Sequence, residues 1–268
     1  MAKRPPPRPQ PVIAPASPSV IKDFATAFQV SRETLQRLEI YERVLLHWQK
    51  SMNLVAKSTL TEIWTRHFAD SAQLLQIVRT NGLEPRSWLD LGSGAGLPGL
   101  VIAILLAETA TMAAPARVIM IESDARKCAF LREVLRQVGL SSNTTPSIPM
   151  TGAGVGAGAR AGIGAVPQHR GGITVDILPA RIENPANRAK VGPVDVISAR
   201  ALAPLEALLP LSVPYFGPNT MAVFAKGRDY QAEIEAARQT WTFDLALTAS
   251  QTDPEAQILT VSGVAAKA

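Results

Sequence analysis

The stretch LDLGSGAGLPGLVIAI, residues 89–104, decides the fold expected for this chain. A short apolar run reaches Asp90, a glycine-rich loop follows it, and a second apolar run continues from the loop. This order is typical of a β-strand that leads through a ligand-binding loop into a helix, which we predict over residues 97–107. Two patterns overlap in the loop, GxGxG from Gly92 and GxGxxG from Gly94, so the neighbouring residues have to decide the ligand.

Strands and helices alternate along the rest of the chain. A second predicted helix, residues 124–139, ends on Gly139, and no helix fits between the last two strands, which flank TDPE. The alternation predicts an α/β fold with a parallel, doubly wound sheet, and the helix-free pair predicts an antiparallel C-terminal hairpin. The seven predicted strands are residues 87–92, 116–123, 172–180, 194–201, 220–227, 244–251 and 256–263.

Three segments complete the predicted organisation. Residues 1–20 contain seven of the 21 prolines, which predicts a disordered tail. Residues 21–85 carry apolar side chains at three- and four-residue steps after a capping Ser31, which predicts a helical extension on the domain of residues 86–268. Within that domain, residues 141–172 hold eight of the 18 glycines and no aromatic residue, which predicts a disordered insertion.

Composition narrows the class of protein. No apolar run reaches the roughly 18 to 20 residues of a membrane span and the N-terminus has no signal-peptide pattern, so we expect a cytoplasmic protein without membrane contact. The single cysteine, Cys128, excludes an internal disulfide, and we expect it to pack on a helix, with no metal site. Residues 1–20 carry +3 and residues 141–172 carry +2, which accounts for the net charge of +5. The charge alone therefore predicts no nucleic-acid surface on the folded core.

Pro98 bears on which ligand the loop holds. A dinucleotide pyrophosphate is bound by free N–H groups at a helix N-terminus, and Pro98 removes one of these donors at the predicted first turn. The other pattern places Asp90 before Gly92, Gly94 and Gly96. S-adenosylmethionine carries a sulfonium, an ammonium and two ribose hydroxyls, so nearby acids and a close backbone approach suit it.

Glu122 leaves the choice of cofactor open. It ends the second predicted strand, where an acid commonly accepts hydrogen bonds from the ribose hydroxyls of either S-adenosylmethionine or NAD. The alternative to a protein that binds S-adenosylmethionine is therefore an NAD-dependent oxidoreductase that uses Gly94, Gly96 and Gly99.

Four segments of the chain share the pattern of one family. They are NLVAKSTLTEIWTRHFADSAQL (53–74), WLDLGSGAGLPGLVIAI (88–104), ARIEN (180–184), and VISARALAPLEALLP (196–210) followed by FAKG (224–227). Together they resemble the small-subunit ribosomal RNA methyltransferase G family, formerly called glucose-inhibited division protein B. RHFADS joined to GSGAGLPG is the specific part, since the glycine loop alone matches many methyltransferases.

The resemblance implies a fold and an activity. The fold is a class I S-adenosylmethionine-dependent methyltransferase fold, Rossmann-like, with an N-terminal helical extension. The activity is methyl transfer from S-adenosylmethionine to N7 of guanosine 527, in the 530-loop region of 16S rRNA. We expect a monomer whose partner is 16S rRNA, either naked or within the small ribosomal subunit.

The resemblance also implies roles for individual residues. Gly92 and Leu97 would contact the cofactor from the glycine loop. Ile182 and Glu183 would flank the adenine after the third strand, and Arg200 would stand beside the methyl-transfer site at the end of the fourth. The family's helical segment, which faces the mouth of the active site, is matched by Asn53, Arg66, His67, Asp70 and Ser71.

Methylation of guanine N7 does not require a general base from the protein. N7 has an in-plane lone pair and no proton to lose, so alignment with the methyl group replaces a general base. Arg200 would orient the cofactor carboxylate, an RNA phosphate or guanine O6, or else pair structurally with an acid. We take Arg200, His67 and Arg66 as candidate catalytic residues, with His67 stacking on a base or contacting phosphate.

Two interpretations stay open beside these. Lys226 follows the fifth strand and either meets RNA phosphate or is a solvated loop lysine. The whole chain would alternatively be a non-catalytic ribosome-assembly module that keeps a vestigial fold.

Overall fold

Seven strands form one sheet in the computed structural model, which describes residues 15–140 and 172–267. The strands are β1 (Ser87–Leu91), β2 (Ala116–Glu122), β3 (Ile173–Pro179), β4 (Val194–Arg200), β5 (Phe216–Lys226), β6 (Trp241–Ala249) and β7 (Gln257–Ala266). The α-helices are α1 (Pro18–Phe28), α2 (Arg32–Trp48), α3 (Ala69–Thr80), α4 (Gly99–Thr109), α5 (Ala125–Val138), α6 (Ala186–Val191), α7 (Leu205–Ser212) and α8 (Tyr230–Thr240).

The strand order is β3-β2-β1-β4-β5-β7-β6. Strands β1 to β5 are parallel, whereas β7 lies antiparallel between β5 and β6. The predicted seven-stranded α/β sheet with an antiparallel C-terminal hairpin is therefore confirmed. The order reverses between β1 and β4, and ligands of doubly wound sheets bind in the crevice at the carboxyl ends of the strands at such a point.

Local sequence explains where the helices beside the sheet begin and end. The Asp124 carboxylate accepts hydrogen bonds from the N–H groups of Arg126 and Lys127 at the start of α5, and Gly139 ends this helix with a φ of 72°. Helix α4 is apolar on all sides and buried along most of its length, as expected for a helix packed between two layers.

The two layers on either side of α4 are the sheet and the N-terminal extension. The Ser31 hydroxyl accepts a hydrogen bond from the N–H of Thr34, as the sequence predicts, and α2 begins at the next residue. Leu38, Tyr41 and Leu45 of α2 are fully buried. Helices α2 and α3 contact α4, and α2 also contacts α5, so the extension and one face of the sheet share a single hydrophobic core.

Three predicted boundaries are corrected by the structure. Helix α1 begins at Pro18, inside the segment assigned to the tail, because proline is well tolerated in the first turn of a helix. Strand β3 begins at Ile173 and not at residue 172, although the C=O of Gly172 accepts a hydrogen bond from the N–H of Ala116 at the start of β2. Helix α4 begins at Gly99 and not at residue 97. Residues 1–14 and 141–171, on which the two disorder predictions rest, lie outside the described residues.

A buried chain of hydrogen bonds joins β1, β4 and α4. The indole N–H of Trp88 donates to the Ser198 hydroxyl (2.8 Å), which donates to Oδ1 of Asp90 (2.8 Å). Oδ2 of Asp90 accepts from the N–H of Gly99 (3.1 Å). All three side chains are fully buried, so each of these polar groups depends on its partner for hydrogen bonding.

Replacing Ser198 with Ala should lower the free energy of unfolding by about 2 to 4 kcal/mol, because it leaves a buried indole N–H and a carboxylate oxygen without this partner. Urea denaturation measures the change. Ser262→Ala, at a half-buried strand serine without a side-chain hydrogen bond among the described residues, should cost less than about 0.5 kcal/mol. Equal losses in the two variants would contradict the assigned role of Ser198.

Candidate cofactor and methyl-transfer site

The glycine loop between β1 and α4 has positive φ at Gly92, Gly94 and Gly96, and at two of these positions a side chain would also meet a neighbour. Gly92 and Gly96 have φ values of 68° and 82°, which side-chain-bearing residues rarely adopt. A Cβ on Gly92 would lie 2.6 Å from Leu202, and one on Gly96 would lie 2.3 Å from Leu100. A Cβ on Gly94 would approach only the C=O of Gly92, at 3.7 Å, so the open side of the loop lies there.

Asp90 supports this loop from beneath. Its carboxylate is fully buried and holds Ser198 on β4 and the first N–H of α4. Burial raises the pKa of Asp90 to about 6, although the hydrogen bonds from Ser93, Ser198 and Gly99 act in the opposite direction. The expectation of a direct cofactor contact is therefore revised, and we assign Asp90 the task of positioning the loop.

Glu122 remains at the end of β2, where the sequence places it. Its Oε2 accepts a hydrogen bond from the N–H of Gly94 (2.7 Å), and Oε1 accepts one from the N–H of Asp124 (2.8 Å). A carboxylate can accept about four hydrogen bonds, so Glu122 can still accept hydrogen bonds from ribose hydroxyls. Glu122 thus links the glycine loop to the edge of β2, and the open loop beside a carboxylate fits an adenosyl cofactor.

The geometry of α4 disfavours a dinucleotide. Pro98, which has no N–H, immediately precedes the helix, and the N–H of Gly99 is already bound by the Asp90 carboxylate. A pyrophosphate would find one donor missing and another occupied by a negatively charged group.

Ile182 and Glu183 lie in the turn after β3, at the same edge of the sheet. The Asn187 side chain fixes this turn by donating to the C=O of Arg181 (2.8 Å). Ile182 is half-buried against the core and Glu183 is exposed. Their predicted contact with adenine stays a prediction.

Arg200, the last residue of β4, is held on one side of its guanidinium. Its Nε lies 2.6 Å from Oδ2 of Asp70, and its Nη2 donates to the C=O of Arg66 (3.1 Å) and to Nδ1 of His67 (2.9 Å). Among the described residues, Nη1 has no hydrogen-bond partner, and the side chain is 21% exposed. Two N–H groups of Arg200 therefore remain for a ligand.

The tautomer of His67 follows from this contact. Arginine can only donate, so Nδ1 of His67 accepts, and Nε2 carries the hydrogen that it gives to the Thr59 hydroxyl (2.8 Å). Burial, followed by the positive charges of Arg200 and Arg66, lowers the pKa of His67 to about 4. The ring is 6% exposed and both nitrogens are engaged, so the expected base stacking or phosphate contact is replaced by a positioning role.

Arg66 and His67 come from one irregular segment. A π-helical turn, Ile63–Phe68, leads directly into α3 and carries Arg66 and His67. Such turns are rare and frequently occur at functional sites. The Ser71 hydroxyl donates to the C=O of His67 (2.7 Å), which fixes the turn against the first residues of α3.

Other predicted residues lie apart from this cluster. Asn53 is exposed in the loop after α2, and the Leu97 side chain is buried in the core. Lys226 is 8% exposed and lies 2.7 Å from Oε2 of Glu233, so it is not a solvated lysine and is set aside as an RNA contact. Cys128 is buried on α5, as expected, and burial raises its pKa to about 11.

The sequence interpretation missed two groups of site residues. Tyr41 of α2 donates its phenolic hydrogen to the C=O of Ala95 in the glycine loop, and burial raises its pKa well above the usual value. Gln73 and Thr252 both donate to Oδ1 of Asp70. Tyr41 has the spacing of an ordinary core residue, and Thr252 is distant in sequence, so no local pattern marks either one.

The chain is similar to known proteins over most of its length. The family model for rRNA small subunit methyltransferase G (GidB) matches residues 34–146. The Ribosomal RNA small subunit methyltransferase G of Parvibaculum lavamentivorans is 42% identical over 94% of this chain and 94% of that protein. The protein of the same name from Rhodospirillum centenum is 40% identical over 91% of this chain and 90% of that protein.

The chain belongs to the ribosomal RNA small subunit methyltransferase G family. This membership confirms the predicted class I methyltransferase fold and the dependence on S-adenosylmethionine, and the oxidoreductase alternative is set aside.

Two solved structures are similar to this chain at low sequence identity. A methyltransferase from Geobacter sulfurreducens has a TM-score of 0.47 and 11% identity, covering 93% of this chain and 98% of that chain. Aeropyrum pernix fibrillarin, solved with natively bound S-adenosylmethionine, has a TM-score of 0.45 and 14% identity over 73% of this chain and 76% of that chain.

The low pKa of His67 predicts a pH-dependent stability. Between pH 6.5 and about 4 the unfolded state binds a proton at His67 that the folded state does not, so stability falls as pH decreases through this window and is unaffected above it. From pH 7 to pH 5 the loss due to His67 should be about 2 kcal/mol.

Urea denaturation of His67→Gln at both pH values tests this expectation. The variant should lose about 2 kcal/mol less than the native protein between pH 7 and pH 5. His47→Gln, at an exposed position near the end of α2, is the matched control. It should lose as much stability between the two pH values as the native protein. If His67→Gln lost as much stability between pH 7 and pH 5 as the native protein, the lowered pKa of His67 would be contradicted.

Proposed function

We propose that this protein methylates N7 of guanosine 527, in the 530-loop region of 16S rRNA, with S-adenosylmethionine as methyl donor. The observation that carries the proposal is the position of Arg200. Leu91 and Ala199 are paired in neighbouring strands, so the glycine loop begins at Gly92 directly beside Arg200. Arg200, whose guanidinium is fixed and keeps two available N–H groups, therefore ends its strand beside the start of the cofactor loop, where the strand order reverses.

The residues of the site have separate tasks in this reaction. S-adenosylmethionine, when bound, supplies an electrophilic methyl group. Gly92 and Gly94 allow the cofactor to approach the loop closely. The Glu122 carboxylate accepts hydrogen bonds from the ribose hydroxyls of the cofactor. Arg200 orients an anionic group, either the cofactor carboxylate or an RNA phosphate, through the N–H groups of Nη1.

His67 and Asp70 hold Arg200 in place and take no proton from the substrate. Guanine N7 has no proton to lose, and the His67 lone pair is already occupied by Arg200. The rate enhancement in this proposal comes from alignment of N7 with the methyl group, which can supply several kcal/mol of the barrier.

The cellular setting is part of the proposal. An enzyme for 16S rRNA would act in the cytoplasm, as a monomer on the RNA or on the small ribosomal subunit. Within residues 15–140 and 172–267, no helix is long and apolar enough to cross a membrane.

Deleting the gene should remove 7-methylguanosine from 16S rRNA, which nucleoside mass spectrometry measures. The native gene should restore it, whereas Arg200→Ala should lower kcat/KM by at least about 100-fold, because a preorganised donor at the reacting groups is lost. Arg136→Ala, on the exposed side of α5, is the matched control and should restore methylation fully.

Two outcomes would overturn the proposal. Unchanged 7-methylguanosine in the deletion strain would exclude this substrate. Cellular function that survives Arg200→Ala with no methylation would favour the assembly-module alternative.

Calorimetry tests the cofactor independently of the RNA. S-adenosylmethionine should bind the purified protein and NAD should not, because the N–H of Gly99 is occupied and Pro98 has none. Binding of NAD alone would contradict the assignment of the glycine loop.

A further inference from the structure

The turn between β6 and β7 lies at the same edge of the sheet as the proposed site. Gln257, the first residue of β7, pairs with Lys226 at the end of β5 and with Ala249 at the end of β6. Residues 250–256 therefore stand at the edge where the parallel strands end, close to the segment that carries Arg66 and Asp70.

This turn is bound to the N-terminal extension by a buried glutamine. The Gln73 side chain is fully buried, and its Oε1 accepts a hydrogen bond from the N–H of Gln251 (2.9 Å). Its Nε2 donates to Oδ1 of Asp70 (2.8 Å) and to the Ser250 hydroxyl (3.3 Å). Gln73 thus fixes the turn and the Asp70 carboxylate to each other.

Arg66 reinforces this contact from the other side. Its guanidinium donates to the C=O of Thr252 (3.3 Å) and lies 3.3 Å from the carboxylate of Asp253. Because the group is 40% exposed, this pair contributes little to stability and serves mainly to locate the turn.

Thr252 completes the link to Arg200. Its hydroxyl donates to Oδ1 of Asp70 (3.0 Å), while Oδ2 of the same carboxylate lies 2.6 Å from Nε of Arg200. A hydroxyl has one hydrogen, so the Ser250 hydroxyl must be the donor in its 3.0 Å contact with Thr252. The two donors on Oδ1 fix the rotation of the carboxylate, and this rotation sets the direction in which Oδ2 meets Arg200.

We propose that Thr252 is a positioning residue for Arg200 and acts through the Asp70 carboxylate. The C-terminal hairpin thereby takes part in methyl transfer through Asp70 and Arg200. The inference rests on the proposed function only in assuming that Arg200 orients the cofactor or the RNA.

Thr252→Val tests this link, because valine keeps the shape of threonine but has no hydroxyl. With one of two hydrogen bonds to the carboxylate removed, kcat for 16S rRNA should fall about tenfold. Thr252→Ser keeps the hydroxyl and should remain within about twofold of the native kcat. Thr242→Val is the matched control at the opposite end of the hairpin, where the hydroxyl donates to the C=O of Ala265 (3.2 Å), and it should leave kcat unchanged.

A second readout reports Arg200 without any substrate. The Nε–H resonance of Arg200 in a ¹⁵N NMR spectrum, assigned by its loss in Arg200→Lys, should move in Thr252→Val and keep its native position in Thr252→Ser and Thr242→Val. An unmoved resonance in Thr252→Val, or a Thr252→Ser variant as impaired as Thr252→Val, would overturn the inference. Full methylation by Arg200→Ala would instead refute the role of Arg200 in the reaction, and the resonance alone would then test the link between Thr252 and Arg200.

Discussion

The buried carboxylate of Asp90 is the interaction on which the site depends. A charged group inside the core is costly unless its acceptors are matched, and burial raises the pKa of Asp90 to about 6. One oxygen holds Ser198 on β4 and the other holds the N–H of Gly99 at the start of α4. Because Asp90 precedes the glycine loop and Gly99 follows it, the carboxylate clamps the loop at both ends. The loop can therefore keep backbone angles that only glycine adopts readily.

The N-terminal extension completes the site from the other side. Tyr41 contacts the glycine loop, and the π-helical turn brings His67 and Asp70 against Arg200. An arginine beside a guanine that becomes cationic would oppose the reaction if its charge stood alone. Asp70, 2.6 Å from Nε, offsets that charge, while His67 is neutral and leaves it unchanged. Arg200 can thus serve as a fixed hydrogen-bond donor.

Much of the fold was predictable because its signals are local. The alternation of strands and helices, the cap at Ser31 and the ending of α5 at Gly139 each depend on neighbouring residues. The start of α4 was missed because it depends on Asp90, whose carboxylate accepts a hydrogen bond from Gly99 on the other side of the loop. The roles of Thr252 and Tyr41 were missed for a similar reason, since both contact residues more than 50 positions away.

The sequence by itself determined the α/β class, the seven strands, the family and the cofactor, since these rest on periodicity and on motifs of adjacent residues. The tertiary structure alone decided which of the candidate polar groups are bonded to one another inside the protein and which keep free donors. His67 and Lys226 are residue types that often contact RNA. In this structure both are buried, and each is paired with another side chain of the protein. That distinction depends on desolvation and on partners that fold together from distant parts of the chain.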